Sequence, residues 1–196
     1  NFDNILGIKG LSDIMLKNHF TLYQGYVANI NKLDDALRAL LKDGKTASFE
    51  YAEMKRRFGW EFNGMRLHEL YFGNIAKDGA VLDYVFNKSG ALAKQIIADF
   101  GSFENFEKDF RATGAMRGIG WAVLYYDTSA KRFFNCWINE HDVGHLCGAI
   151  PLLVMDVFEH AYMTDYGIKR ADYLEAFMKA INWGAVEKRF ETAVLR

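Results

Sequence analysis

From Ile14 to Leu40 apolar side chains recur at helical spacing: Ile14, Leu16, Phe20, Tyr23, Val27, Ile30, Leu33, Leu37 and Leu40. Ser12 and Asp13 mark the start of this helix, and "KDGKTAS" around Gly44 ends it. A second helical pattern runs from about Phe49 to about Ile75, and so short a connection between two long helices predicts an antiparallel αα-hairpin. "NKSGALAKQIIADFGSFENFEKDFRATG" reads as two shorter helices, divided at Gly101 with Ser102 capping the second.

The period then changes. "WAVLYYD", the turn "TSAK" and "RFFNCWI" predict a β-hairpin rich in aromatic and β-branched residues. "IPLLVMDV" supplies a third strand, with the only proline at its start, where a missing N–H is tolerated. "DYGIKRADYLEAFMKAINW" returns to a helical pattern. The expected fold is α+β: a long N-terminal antiparallel helical hairpin over 1–82, then an α/β lobe over 83–196 with a three-stranded antiparallel sheet flanked by helices.

Composition narrows the function classes. At 51% hydrophobic and 15% aromatic, the 196 residues can bury a sizeable core. A formal net charge of -1 offers no bulk attraction for nucleic acid. No apolar stretch approaches the ~18 residues that a membrane span needs, and no secretory leader pattern opens the chain, so a cytoplasmic protein is expected. Cys136 and Cys147 are too few for a disulfide scaffold and lack zinc-site spacing; they read as free thiols in a reducing compartment.

The candidate chemistry lies in "MDVFEHAY", where a strongly apolar strand ends in Asp156, Glu159 and His160. Charged groups rarely follow core residues into the interior without a partner or a metal to offset their desolvation. Among five histidines, His19 and His68 fall on the two long helices and face each other if the hairpin is antiparallel. Asp156 and His160 are four residues apart across the strand-to-helix turn, so one turn can aim both at one point. Three imidazoles and a carboxylate form a nitrogen and oxygen set suited to iron, manganese or zinc.

The chain resembles the iron/manganese superoxide dismutase family over nearly its whole length. "DVFEHAY" is similar to that family's Asp-x-Trp-Glu-His-Ala signature, with Phe158 in place of Trp. "GALAKQIIADFGSFENFEKDF" followed by "GIGWAVL" resembles its central segment, and "DYGIKRADYLEAFMKAINW" its C-terminal helix. The resemblance implies one iron or manganese ion per subunit, with a lean to iron, held between the two lobes by His19, His68, Asp156 and His160 with a solvent molecule as fifth ligand. It implies dismutation of superoxide to dioxygen and hydrogen peroxide, an antioxidant activity that needs no organic cofactor.

Other residues take expected roles from the same resemblance. Family members usually place a tyrosine eight residues after the first ligand, whereas "HFTLYQGY" places Tyr26 seven after His19. Seven steps of a regular helix come to ~700°, within ~20° of alignment, while eight leave the pair ~80° apart unless a π-bulge intervenes. An unbulged helix therefore puts His19 and Tyr26 on one face; the competing alignment puts Asn18, a poor neutral ligand, at the metal. Tyr26 is expected to order the proton-delivering water chain.

In that family the side chain that donates to the metal's solvent is commonly a Gln, four residues before the second ligand or in the loop after the β-hairpin. Gly64 cannot supply it, so His141 in "NEHDVG" is expected to. Tyr71, Phe72, Trp121 and Phe158 are expected to wall the site, and Arg170 to draw the anionic substrate into an entrance funnel. Glu159 is expected to reach the His160 of a second copy across a twofold interface that Tyr162 joins, giving a homodimer or a tetramer. The usual partner of that tyrosine is replaced by Tyr23 or Leu22, and His145 has no assigned role. The competing functions are a non-enzymatic metal-binding scaffold on the same fold and hydrolysis at a zinc site.

Overall fold

The computed structural model describes residues 2–77 and 90–195. Two long helices come first, α1 (Asp13–Lys42) and α2 (Phe49–Gly73). Each starts where a serine hydroxyl accepts a backbone N–H that the helix leaves free: Ser12 from Met15 and Ser48 from Tyr51, both at 3.1 Å. Gly44, with φ of 70°, turns the chain between them, and the two helices pack as a hairpin. α1 is α-helical without interruption, so no π-bulge separates His19 from Tyr26.

The second helix stops at Gly73, two residues before the expected end, because Asn74 and Ile75 have other partners. The buried Asn74 amide donates to Val154 O at 3.1 Å and accepts from Val154 N–H at 2.8 Å, mimicking a strand at the edge of the sheet. Ile75 pairs with Ile181 in an isolated β-bridge. The lobe boundary expected at 82/83 lies outside the described residues, as does the start of "NKSGALAKQ".

Two shorter helices, α3 (Ala91–Phe100) and α4 (Phe103–Ala115), follow the expected division at Gly101, with Ser102 accepting Asn105 N–H at 3.1 Å. The three-stranded antiparallel sheet has the order β2-β1-β3, from β1 (Gly120–Asp127), β2 (Arg132–Asn139) and β3 (Ala149–Asp156). β1 is buried from Gly120 to Tyr126, as its central place requires. Opposite Leu124 and Tyr125 the register of β3 jumps from Leu153 to Pro151, so Leu152 is a bulged residue beside the proline that cannot donate. At the far end of the same ladder Trp121 pairs with Asp156.

After β3 come a 3₁₀ turn (Glu159–Ala161), a four-residue helix α5 (Met163–Tyr166), α6 (Arg170–Ala180) and α7 (Trp183–Val194). The sequence pattern runs one helix through Trp183. The structure breaks it at Ile181, which is extended to reach Ile75, and Asn182 then caps a separate α7 by accepting Ala185 N–H at 3.1 Å. One continuous core joins the hairpin, the sheet and the C-terminal helices through Leu16, Phe72, Trp121, Phe106, Tyr173 and Trp183.

Candidate metal centre

His19 in α1 and His68 in α2 point at each other across the hairpin, with ring centroids 4.9 Å apart. Asp156 ends β3, and Val157 N–H continues the ladder to Gly120 O at 2.9 Å before the chain turns. Phe158 N–H donates to Asp156 Oδ1 at 2.8 Å, a local turn that fixes the carboxylate and leaves Oδ2 facing inward. The 3₁₀ turn then returns His160 to the same point. The Nε2 atoms of His19, His160 and His68 lie 3.1, 3.2 and 3.8 Å from that single Oδ2. All four residues can offer ligand atoms lying within 4.8 Å of one another.

The donor chemistry of this cluster fits a metal ion. His68 Nδ1–H donates to Gly64 O at 2.5 Å, so its Nε2 is a bare lone pair, and that atom is buried without a hydrogen-bond partner among the described residues. Backbone bonding of one ring nitrogen is the usual way a ligating imidazole is oriented. His19, His68 and Asp156 are fully buried. Burial lowers the pKa of His19 and takes that of His68 down to about 3, keeping both neutral. Burial opposes ionisation of Asp156, but His160 and His19 more than offset it and hold the carboxyl well below its usual range. At His160 burial is likewise outweighed by the Asp156 charge, and the pKa rises.

Aromatic rings close the cluster. Tyr71 and Phe72 lie 5.1 and 5.0 Å from the His19 ring, and Trp121 lies 5.0 Å from that of His68. Phe158 stacks on both His141, at 4.8 Å, and His160, at 5.3 Å. The Tyr173 hydroxyl donates to Asp156 O at 2.6 Å, a support that its helical pattern did not distinguish from ordinary core packing.

His141 is buried beside this wall, its ring 6.3 Å from that of His68. Trp121 Nε1–H donates to its Nδ1 at 3.1 Å. An indole nitrogen only donates, so the neutral imidazole carries its proton on Nε2. That N–H is given to the Tyr26 hydroxyl at 2.8 Å, leaving the Tyr26 proton free to be donated onward. Burial takes His141 down to about 4 and pushes Tyr26 up to about 12, so both are neutral near pH 7.

Comparison with known proteins places this arrangement. Residues 88–189 match the family model described as iron/manganese superoxide dismutases, C-terminal domain. The chain is 37% identical over 192 residues to a superoxide dismutase [Fe] of Aquifex aeolicus, covering 95% of this chain and 87% of that protein. It is 34% identical over 181 residues to superoxide dismutase [Mn] 2 of Haloferax volcanii, covering 92% and 87%. It is 37% identical over 191 residues to a superoxide dismutase [Fe] of Cupriavidus metallidurans, covering 95% and 92%.

The chain belongs to the iron/manganese superoxide dismutase family. The similar proteins include both iron and manganese forms, so membership of the family leaves the metal open between the two. The remaining residues singled out in the sequence lie outside the cluster of His19, His68, Asp156 and His160. Arg170 opens α6, and its guanidinium donates to the carbonyls of Met116, Gly118 and Val157 at 2.5, 2.5 and 2.9 Å, stapling the approach to β1 onto the end of β3. Glu159 is exposed at the head of the 3₁₀ turn. Tyr162 is buried within the chain, stacked 5.7 Å from Tyr173 and under the Arg170 guanidinium at 5.3 Å. No helix among the described residues is long and apolar enough to cross a membrane.

Sequence reasoning missed Trp60, one turn before Gly64. Its indole lies 4.6 Å from the His141 ring and 5.5 Å from that of Tyr26, with the Arg57 guanidinium 4.0 Å from the Trp60 ring. The available signal was its spacing: Trp60, Gly64 and His68 follow one another at four-residue intervals along a single helix face.

Proposed function

We propose that the chain dismutates superoxide to dioxygen and hydrogen peroxide at one iron or manganese ion held by His19, His68, Asp156 and His160. The observation that carries this reading is the convergence of three imidazole Nε2 atoms on one oxygen of a buried carboxylate, with the lone pair of His68 left bare. His19, His68, Asp156 and His160 would hold such an ion, which when bound would supply one-electron redox chemistry in both directions.

The protein's own groups define the rest of the chemistry. Asp156 stays ionised and contributes the negative charge, while His19 and His68 stay neutral because burial disfavours their protonated forms. Trp121 fixes the protonated nitrogen of His141, and His141 holds the Tyr26 oxygen as an acceptor, so that Tyr26 presents its own proton to the substrate side. Tyr71, Phe72, Trp121 and Phe158 exclude bulk water, which strengthens each of these interactions. Arg170 contributes a fixed positive charge that favours an anionic substrate.

The reading extends to assembly and metal. Glu159, exposed and next to His160, fits the twofold contact by which a second copy orients that histidine, with Tyr162 at the margin, in a homodimer or a tetramer. The single N–H of His141 favours iron. Two unpaired cysteines, Cys136 and Cys147, accord with a cytoplasmic location. The test is superoxide consumption by protein loaded with iron, manganese or zinc and by metal-free protein. Activity with iron or manganese alone is expected; a loaded protein that consumes no superoxide overturns the reading in favour of a scaffold.

A further inference from the structure

His145 lies in the same loop as His141, four residues on, and takes no part in the proposed reaction. Its Nε2 is 2.8 Å from the carbonyl oxygen of His141, and its Nδ1 is 2.6 Å from the Tyr125 hydroxyl. A carbonyl only accepts, so the proton sits on Nε2, and Nδ1 accepts from Tyr125. The arrangement repeats that of His141, whose Nδ1 accepts from Trp121. Two donors four residues apart on β1, Trp121 and Tyr125, thus hold the Nδ1 atoms of two histidines four residues apart in the loop.

The loop needs such a tie. Glu140 has φ of 49°, in the left-handed region that non-glycine residues avoid, and Gly144 has φ of 106°. The loop's backbone pairing is one narrow bridge, between Asn139 and Val143. On the opposite side Trp60 Nε1–H donates to the Glu140 carboxylate at 2.9 Å. The His141 ring is therefore fixed by Trp121, and its main chain by the bond from His145, both referred to the same buried strand.

We propose that His145 is a positioning residue for His141. By tying the His141 carbonyl to Tyr125, it keeps the His141 Nε2–H aimed at the Tyr26 hydroxyl. Its consequence for turnover rests on the dismutase reading; its consequence for the His141 ring does not.

The test compares His145→Leu, His145→Gln and Tyr125→Phe with the parent protein. In metal-free protein, nitrogen-resolved NMR of the imidazoles reads which nitrogen of His141 carries the proton. The parent should give a single Nε2–H form, and His145→Leu a mixture of the two forms. In metal-loaded protein His145→Leu should keep its metal content but lose turnover by roughly 10-fold, within the range for residues that orient a metal site from outside the ligand set. The Gln amide can donate to His141 O and accept from Tyr125, so His145→Gln should restore both signals. Tyr125→Phe removes one oxygen and decides the matter if His145→Leu fails to fold. An unchanged His141 ring form in His145→Leu and Tyr125→Phe, or in whichever of these two folds, overturns the proposal, as does a loss of turnover that His145→Gln fails to restore. A parent protein without dismutase activity would count against the dismutase reading alone, since the ring signal remains readable.

Discussion

The ring of Tyr26 fills the room that any side chain at Gly64 would need: a Cβ added there would lie 2.6 Å from Tyr26 Cδ1 and 2.7 Å from Cε1. A tyrosine seven residues after His19 and the absence of a side chain four before His68 are therefore one arrangement. The atoms in conflict belong to the ring and sit close to its attachment, so a small rotation does not relieve them. Gly64→Ala should destabilise the protein by about 1–3 kcal/mol, as overpacking does, and lower turnover by displacing Tyr26 from His141. Thermal unfolding and superoxide consumption check this, and parental values for both would refute it.

Removing Asp156 or His68 should abolish metal retention and turnover together. Each contributes one of four candidate ligands, and no spare group stands beside them among the described residues. Asp156→Ala and His68→Ala should each lower activity by more than the ~10–100-fold typical of residues outside the ligand set. Metal content measured with activity is the check; stoichiometric metal and full activity in either variant would sink the assignment.

Acid should destabilise the metal-free protein. Folding lowers the pKa of His19, takes that of His68 to about 3 and that of His141 to about 4, whereas unfolded imidazoles titrate near 6.5. As pH falls below about 6.5 the unfolded chain binds protons that the folded chain refuses, so stability drops. His160 acts oppositely: its raised pKa gives a contribution complete below about 6.5 and lost as pH rises through its folded value. Three groups outweigh one, and Asp156, with its depressed pKa, keeps its charge across the same window. The melting temperature of metal-free protein should fall by several degrees between pH 7 and pH 4.5; a flat or rising profile would contradict this.

On the proposed twofold contact, Glu159→Ala should weaken self-association and lower metal affinity together, because His160 would lose the partner that orients it from the second copy. Sedimentation read alongside metal occupancy tests the coupling. An unchanged dimer of normal occupancy would argue against it.

His141→Gln should raise the ratio of manganese-supported to iron-supported activity. An imidazole whose Nδ1 accepts from Trp121 has one N–H, and here Tyr26 takes it. A Gln amide can accept from Trp121, donate to Tyr26 and still have a second N–H to offer. A closer donor to a metal-bound solvent would stabilise its hydroxide form, favour the oxidised ion and so lower the potential, a correction that manganese, the stronger oxidant, needs more than iron. The ratio is measured at verified metal loading, and an unchanged ratio would count against the idea.

The four cluster residues lie on elements that could bring them together, two helix faces, a strand end and one turn, but spacing left each histidine open to a structural role, and it was the family resemblance that singled out the set. The uninterrupted α1 likewise follows from counting residues between His19 and Tyr26. What escaped notice depends on contacts between distant segments. Gly64 could be read as lacking a donor, but not as making room for a ring from α1. Asn74 looked like the last turn of a helix because nothing local announces its bonds to Val154, 80 residues away. The break at Ile181 had the same cause, although Asn182 before Trp183 was an available capping signal. His145 could not be assigned because its partners, Tyr125 and the carbonyl of His141, are brought to it only by the sheet.

The ladder that pairs Trp121 with Asp156 also sets an order of events. His19 and His68 come from adjacent helices and can approach each other once the hairpin closes, early in synthesis. Asp156 and His160 reach them only after β3 has docked along β1, a pairing between segments some 30 residues apart that carries the entropic delay of non-local strands. Until then the chain offers two imidazoles, too few to discriminate one divalent ion from another. The proposed ligand set is thus complete only once the third strand has seated itself, and the ions at hand at that moment would be those that compete for the centre.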